Sequence, residues 1–165
     1  MAPRPRPGET PGVRIRILSV GRDRSGLFAP AVDDYAERLS RYVRFEVEET
    51  PEARQAAGTP RAREEEGRAL LARVREGERV VALDEGGEQL NSEQWARRVA
   101  SWLQGGRDVA LVVGGADGLS PAVRARAEET LALSRLTLPH RLARLVLAEQ
   151  LYRAFTILRG EPYHR

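Results

Sequence analysis

Val109-Ala110-Leu111-Val112-Val113-Gly114-Gly115-Ala116-Asp117-Gly118-Leu119-Ser120-Pro121 is the stretch that decides how this chain folds. Val109 to Val113 is an unbroken apolar run, the pattern of a strand covered on both faces. Ser120 followed by Pro121 starts a helix: the hydroxyl accepts from an early N–H, and proline is tolerated where its missing N–H has no helical partner. Between them lie three glycines in five residues, which let the backbone turn tightly and let a ligand come close. The spacing is not G-x-G-x-x-G, and the chain has no lysine, so phosphate chemistry of the P-loop kind is excluded.

The same alternation extends in both directions. Upstream, Arg79–Leu83 reads as a strand ended by Asp84-Glu85-Gly86-Gly87, and Glu93–Leu103 as a helix capped by Asn91 or Ser92 and ended by Gly105. Arg61–Arg75 is a helix with Leu70, Leu71 and Val74 on one side. Val43–Val47 is a short strand, Leu27–Tyr42 a helix and Val13–Val20 the first strand, with Val13, Ile15 and Ile17 alternating against Arg14 and Arg16. Glu49–Gly58 reads as a loop. Downstream, Leu131–Leu138 is a strand or extended segment, and Arg141–Leu158 is the longest helix. Strand and helix alternate about five times. The fold class is therefore α/β, a mostly parallel sheet with helices on both faces. Ligands of such sheets bind beyond the carboxyl ends of the strands. The segments to inspect are those after Leu83, after Val113 and after Leu138.

Composition narrows the function. The 165 residues suit one domain, and 41% apolar against 31% charged residues can bury a core. No apolar run is long enough to span a bilayer, so no membrane partner is expected. There is no cysteine, which excludes disulfide scaffolds, thiolate metal sites and thiol nucleophiles. With two histidines, a metal site is not expected either. The lack of disulfides and of a targeting signal points to the cytoplasm. All 27 basic residues are arginine. Residues 13–118 hold 17 arginines and 19 acids, whereas 119–165 hold eight arginines and four glutamates, a net +4. A near-neutral body with a basic last quarter suits an anionic partner. Residues 1–12, with four prolines, read as a disordered leader.

Three further segments could carry chemistry. Leu131–His140 is apolar with isolated hydroxyls at Ser134 and Thr137; it reads as a core strand or as a cleft wall fit for a purine ring. The last helix is apolar around most of its circumference, so it is buried on several sides, and a subunit interface is one way to do that. On it, Glu149 and Arg153 stand four apart, as a local ion pair or as a carboxylate and a phosphate-binding guanidinium. The tail Tyr163-His164-Arg165 joins a ring for base stacking to cationic groups.

Four ordered strings, Val112–Leu119, Leu133–His140, Glu149–Ala154 and Pro162–Arg165, resemble the ribosomal RNA large subunit methyltransferase H family, SPOUT-class enzymes that methylate N3 of a pseudouridine in 23S rRNA. Ala82–Gly87, Val20-Gly21 and Tyr35 with Arg38 also fit, so the resemblance covers roughly 13–165. It implies a SPOUT-type domain over 13–165 with a C-terminal trefoil knot, a feature general topology rules would have rejected. It further implies S-adenosyl-L-methionine as cofactor, a homodimer, and 23S rRNA in the ribosome as partner. By motif position the cofactor contacts fall on Leu83, Gly114, Leu133, Ser134, Arg135, Leu136, Thr137 and Leu138. Arg153, Glu149, His164 and Arg165 are the catalytic candidates, and Tyr163, His164 and Arg165 the RNA-binding ones. The leader has no counterpart in the family. Two readings stay open beside this one: a SPOUT methyltransferase acting on another RNA, and a ribosome-binding factor without catalysis. A nucleotide-binding oxidoreductase is weakened by the missing G-x-G-x-x-G.

Overall fold

The computed structural model describes residues 12–54 and 58–164. Within them ten elements alternate: β1 (Arg14–Val20), α1 (Ala29–Leu39), β2 (Arg44–Thr50), α2 (Pro60–Arg73), β3 (Arg79–Gln89), α3 (Ser92–Gly105), β4 (Val109–Val113), α4 (Pro121–Arg126), β5 (Glu129–Ala132) and α5 (His140–Leu158). The strands form one sheet in the order β2-β1-β4-β3-β5, and every neighbouring pair is parallel. β4 is the middle strand, and all five of its residues are buried. That is why its sequence shows no alternation.

The faces sort by residue parity. Ile15, Ile17, Val81, Leu83, Val109, Leu111 and Val113 point into the larger core, which α1, α3 and α5 cover. Leu18, Val20, Val80, Ala82 and Val112 point into a smaller core with Leu70 of α2 and Val123 of α4. Helix starts follow the local chemistry. Thr59, Asn91 and Ser120 each accept from a backbone N–H in the first turn, and Asn91 forms a capping box with Gln94.

The structure corrects four details of the sequence reading. Arg16, the polar partner in the alternation of β1, is 1% exposed rather than solvent-facing. Its guanidinium donates to Glu78 at 2.7 and 2.8 Å, to Glu48 at 2.6 Å and to the Arg73 carbonyl, so a buried charge is fully matched. β2 continues to Thr50, into the segment read as loop. α3 runs through Gly105, and the left-handed cap is Gly106, with φ of +71°, one residue beyond the glycine read as the stop. β3 does not end at Leu83. Asp84–Gly87 bulges out and the strand resumes, so that Leu83 and Glu88 both pair with Leu131. Gly87 is needed there, because a β-carbon would stand 2.8 Å from the Leu131 backbone. The leader assigned to 1–12 lies outside the described residues, apart from Gly12.

Candidate active site

Because β3, β4 and β5 run in parallel, they release the chain at one edge of the sheet. The segment after β4 folds back at once: Gly115 and Gly118 form an antiparallel bridge, with the Gly118 N–H donating to the Gly115 carbonyl at 3.1 Å. Gly118 has φ +76°, and a β-carbon on Gly114 would stand 2.6 Å from the Gly118 carbonyl carbon. No larger residue fits this turn at Gly114 without moving the backbone.

The three exits enclose a cleft of about 300 Å³. Leu83, Val113, Leu133, Leu136, Leu138 and Ala143 give it apolar walls, Gly114 to Gly118 its floor, and Asp84, Glu85, Asp117, Ser134, Thr137 and His140 its polar points. Bonds between lining residues, and one from outside, fix its shape. Arg124 pairs with Asp84 at 3.0 Å, the Thr137 hydroxyl donates to Glu85 at 2.9 Å, and the N–H of Gly58, which is not a lining residue, donates to Asp117 at 2.7 Å. Leu136 is 74% exposed although it lines the cleft, an apolar side chain placed for a ligand to cover.

Two buried titratable groups adjoin the cleft. Burial, then Arg141 and Arg144, push the His140 imidazole below its ordinary value, and its Nε2 has no partner among the described residues. Glu66 of α2 is 8% exposed and lies under the glycine turn. Its Oε1 accepts from the Ala53 N–H at 3.2 Å. Its Oε2 has no partner among the described residues and stands 3.0 Å from where a Gly115 β-carbon would be. Burial raises its pKa, and Asp117, Glu52 and Glu65 add to the rise.

A second cluster forms where the tail returns to α5. Glu149 Oε1 accepts from Arg153 at 2.6 and 3.0 Å and from the Tyr163 hydroxyl at 3.0 Å, while Oε2 accepts from Gln150 at 2.6 Å. Since Tyr163 donates to Glu149, the 3.3 Å contact between the Tyr35 and Tyr163 hydroxyls has Tyr35 as donor. Arg153 reaches His164 Nδ1 at 3.3 Å. A guanidinium only donates, so Nδ1 accepts and Nε2 carries the ring proton. Arg153 also lies 4.8 Å over the Tyr163 ring, and Tyr163 meets Tyr152 edge-on at 4.8 Å. The Glu149 bond, chiefly, holds Arg153 above its ordinary pKa, and burial raises that of Tyr163.

The structure thus brings Leu83, Gly114, Leu133, Ser134, Leu136, Thr137 and Leu138 to one cleft, and leaves Arg135 exposed beside it. Glu149, Arg153, Tyr163 and His164 sit together, but not on that cleft of their own chain. Arg165 lies outside the described residues. Sequence reasoning assigned no role to Asp84, Glu85, Asp117, Arg124 and Ala143, whereas His140 closes the segment read as a possible cleft wall. For the first three the position at a strand exit was signal enough; Arg124 and Ala143 carried none. Among the described residues, no group of side chains could hold a metal ion, and no helix is long and apolar enough to cross a membrane.

Comparison with known proteins agrees with this geometry. The family described as "Predicted SPOUT methyltransferase" matches residues 13–164. A ribosomal RNA large subunit methyltransferase H from Anaeromyxobacter sp. (strain Fw109-5) is 67% identical over 153 residues, covering 93% of this chain and all of that one. Its counterpart from Chromohalobacter salexigens is 45% identical, again covering 93% of this chain and 100% of the relative. Among solved structures, a probable methyltransferase from Bordetella pertussis Tohama I superposes with TM-score 0.55 at 18% identity, covering 86% of this chain and 96% of that chain, a likeness of fold.

Proposed function

The chain belongs to the SPOUT methyltransferase family, and from that premise we propose that it transfers a methyl group from S-adenosyl-L-methionine to N3 of a pseudouridine in 23S rRNA, as a homodimer in the cytoplasm. What supports the cofactor is the cleft. Its apolar walls at Leu83, Leu133, Leu136 and Leu138 suit an adenine ring. Asp84, Glu85 and Asp117 suit a ligand carrying a sulfonium and an ammonium. The cofactor supplies an electrophilic methyl group; the chain's own task is to bind, orient and handle a proton. The trefoil knot near the C-terminus is part of this reading.

The tail cluster supports the acceptor side. N3 of the base must give up its proton, to solvent, for its lone pair to take the methyl group, so negative charge develops on the ring. Arg153 is held by Glu149 and aimed at His164, and it is the cation we assign to stabilise that charge, with His164 and Arg165. Glu149 accepts at both oxygens, which makes it the residue that orients Arg153 rather than a free base. Tyr163 stacks and fixes the tail. Since this cluster does not line its own chain's cleft, a second copy is the means by which donor and acceptor meet. Leu142, Leu145 and Val146 of α5 are half-buried and belong to neither core; with Glu149 and Arg153 they form one stripe at helical spacing, which a partner would cover.

The observation that carries the proposal is the convergence of three strand exits on one glycine-floored cleft. The experiment is methyl transfer from labelled cofactor to ribosomes from cells lacking the modification, followed by mass spectrometry of the rRNA nucleosides. The expected product is 3-methylpseudouridine. Label in another RNA would move the acceptor, and no cofactor binding would leave a ribosome-binding factor.

A further inference from the structure

The loop between β1 and α1, Gly21 to Phe28, is not used by the chemistry above. Asp23 sits between two arginines, yet its carboxylate is committed to the loop itself. Its Oδ1 accepts from the Ser25 hydroxyl at 2.5 Å, and its Oδ2 from the N–H groups of Phe28 at 2.6 Å and Ala29 at 2.8 Å, where α1 begins. The Ser25 hydroxyl and then these N–H groups lower its pKa to about 2. The aspartate therefore serves as a hub for backbone and hydroxyl donors rather than as a counter-ion for Arg22 or Arg24.

The loop is also fixed at its base. The Gly21 N–H donates to the Thr50 carbonyl at 2.7 Å. Buried Arg144 donates to the Gly21 carbonyl at 2.6 Å, and Arg141 to the Arg22 carbonyl at 3.1 Å. Both arginines belong to the first turns of α5, which opens with the cleft-lining His140. The loop thus stands beside the cleft, at the same edge of the sheet. Arg141 and Arg144 are themselves paired, with Glu52 at 3.3 Å and Glu49 at 2.7 Å. Arg22 and Arg24 are exposed, and among the described residues no carboxylate lies within ion-pair distance of either. At the loop's tip Leu27 is 76% exposed.

We infer that Arg22 and Arg24, held out by the Asp23-centred loop, contact RNA phosphates beside the cleft and dock the substrate there. The inference rests on the methyltransferase reading and names a contact surface that reading does not. A loop tied down by these bonds and bearing two exposed guanidiniums loses little freedom on meeting a polyanion, and guanidinium matches phosphate oxygens in pairs. Exposed Leu27 gives the same tip an apolar side chain that a ribose or base edge can cover.

The test compares full-length wild type with an Arg22→Ala/Arg24→Ala variant, using 70S ribosomes that lack the modification and, separately, protein-free 23S rRNA. An Arg14→Ala/Arg44→Ala variant removes equal charge at the other end of the sheet, where these two residues face each other across β1 and β2. For Arg22→Ala/Arg24→Ala the expected KM for ribosomes rises about tenfold with kcat retained. The plot of log affinity for protein-free rRNA against log salt flattens by about one to two, as the loss of two phosphate contacts requires. Cofactor affinity and Tm stay at wild-type values, Arg22→Lys/Arg24→Lys recovers most of the binding, and the Arg14/Arg44 variant keeps wild-type KM. Unchanged KM and salt slope in Arg22→Ala/Arg24→Ala overturn the inference while leaving the function intact. So does an effect on ribosomes that is absent on protein-free rRNA, which would place an acidic protein surface against the loop. An equal effect in the Arg14/Arg44 variant overturns it too. A wild type that transfers no methyl group overturns the function, and the rRNA affinities still decide the loop.

Discussion

Gly114 has no room for a β-carbon, and the atoms in the way are backbone, so nothing flexible can yield. Gly114→Val must therefore open the turn from Gly114 to Gly118 that floors the cleft. Its expected effect is a loss of cofactor affinity of about a hundredfold or more, the scale of several kcal/mol that backbone displacement in a packed site carries. Titration calorimetry measures this, and light scattering should still find a dimer, since Gly114 is not one of the α5 stripe residues assigned to the partner contact. Normal affinity in the variant would refute the assignment of Gly114. Glu66 makes a different point. In the sequence it is the third of three successive glutamates, Glu64 to Glu66, which reads as solvated helix surface. The pitch of α2 turns this one under the glycine loop, where burial raises its pKa above the ordinary 4.5. A raised folded pKa means that the native state binds more protons than the unfolded one just above 4.5, so stability falls as pH rises towards the folded pKa. Glu66→Gln keeps the shape and the acceptor for Ala53 but removes the titration. The variant should gain Tm over wild type as pH goes from about 5 to about 8, and the gap should close on acidification. A gap independent of pH would mean that Glu66 is charged in the native protein.

At the scale of elements, the alternation of periods makes the strands and helices legible in the sequence, and strand exits make the cleft legible. Gly114 and Leu133 to Leu138 follow the ends of parallel strands and Leu83 precedes the bulge of β3, and parallel strands bring these points to one side. Sheet order was not legible, because adjacency depends on which faces pack and not on any single strand. The bulge in β3 was read as a strand end for a physical reason: Asp84-Glu85-Gly86-Gly87 has turn chemistry, and only its pairing with β5 shows that the strand resumes. Arg16 misled because alternation records polarity, and a charge matched by Glu78 and Glu48 is as buried as a valine. The tail belongs to this scale as well. Tyr163 and His164 fold back onto Glu149 and Arg153, so these two residues complete a cluster on α5 and do not line the cleft of the same chain. Deleting Tyr163 to Arg165 should abolish methyl transfer to ribosomes and leave cofactor affinity within about twofold, a shift below the energy of one hydrogen bond. Turnover retained in the truncated chain would remove the tail from the chemistry, and a lost cofactor affinity would place it in the cleft instead.

For the whole molecule, the decisive fact is that the two chemical clusters do not meet within one chain. The cleft lies at the carboxyl edge of the sheet, whereas Glu149, Arg153 and His164 lie along α5 and its return. Under the proposed reaction, a monomer would hold the methyl donor in one place and the charge-stabilising group in another. The stripe Leu142, Leu145, Val146, Glu149 and Arg153 offers a resolution, since its first three residues are apolar, half-buried and outside both cores. An interface laid along the stripe buries those three and carries the polar cluster at its end to the partner. Replacing Leu145 and Val146 together by glutamate sets two charges on each side of that interface, four where the copies meet, at sites that a single chain does not need for its core. Each buried, unmatched carboxylate costs several kcal/mol, more than a modest dimer contact returns. Sedimentation should find the variant monomeric with Tm little changed in the isolated fold. Cofactor affinity should survive if the cleft is complete in one chain, while methyl transfer should fall by at least a hundredfold because donor and acceptor groups are separated. The informative rescue is a mixture. The double-glutamate chain combined with one carrying Leu145→Lys and Val146→Lys should form heterodimers, and activity should return only on mixing. A monomeric variant with full turnover would show that one chain assembles the site alone, and would require the tail to reach its own cleft by a rearrangement of α5.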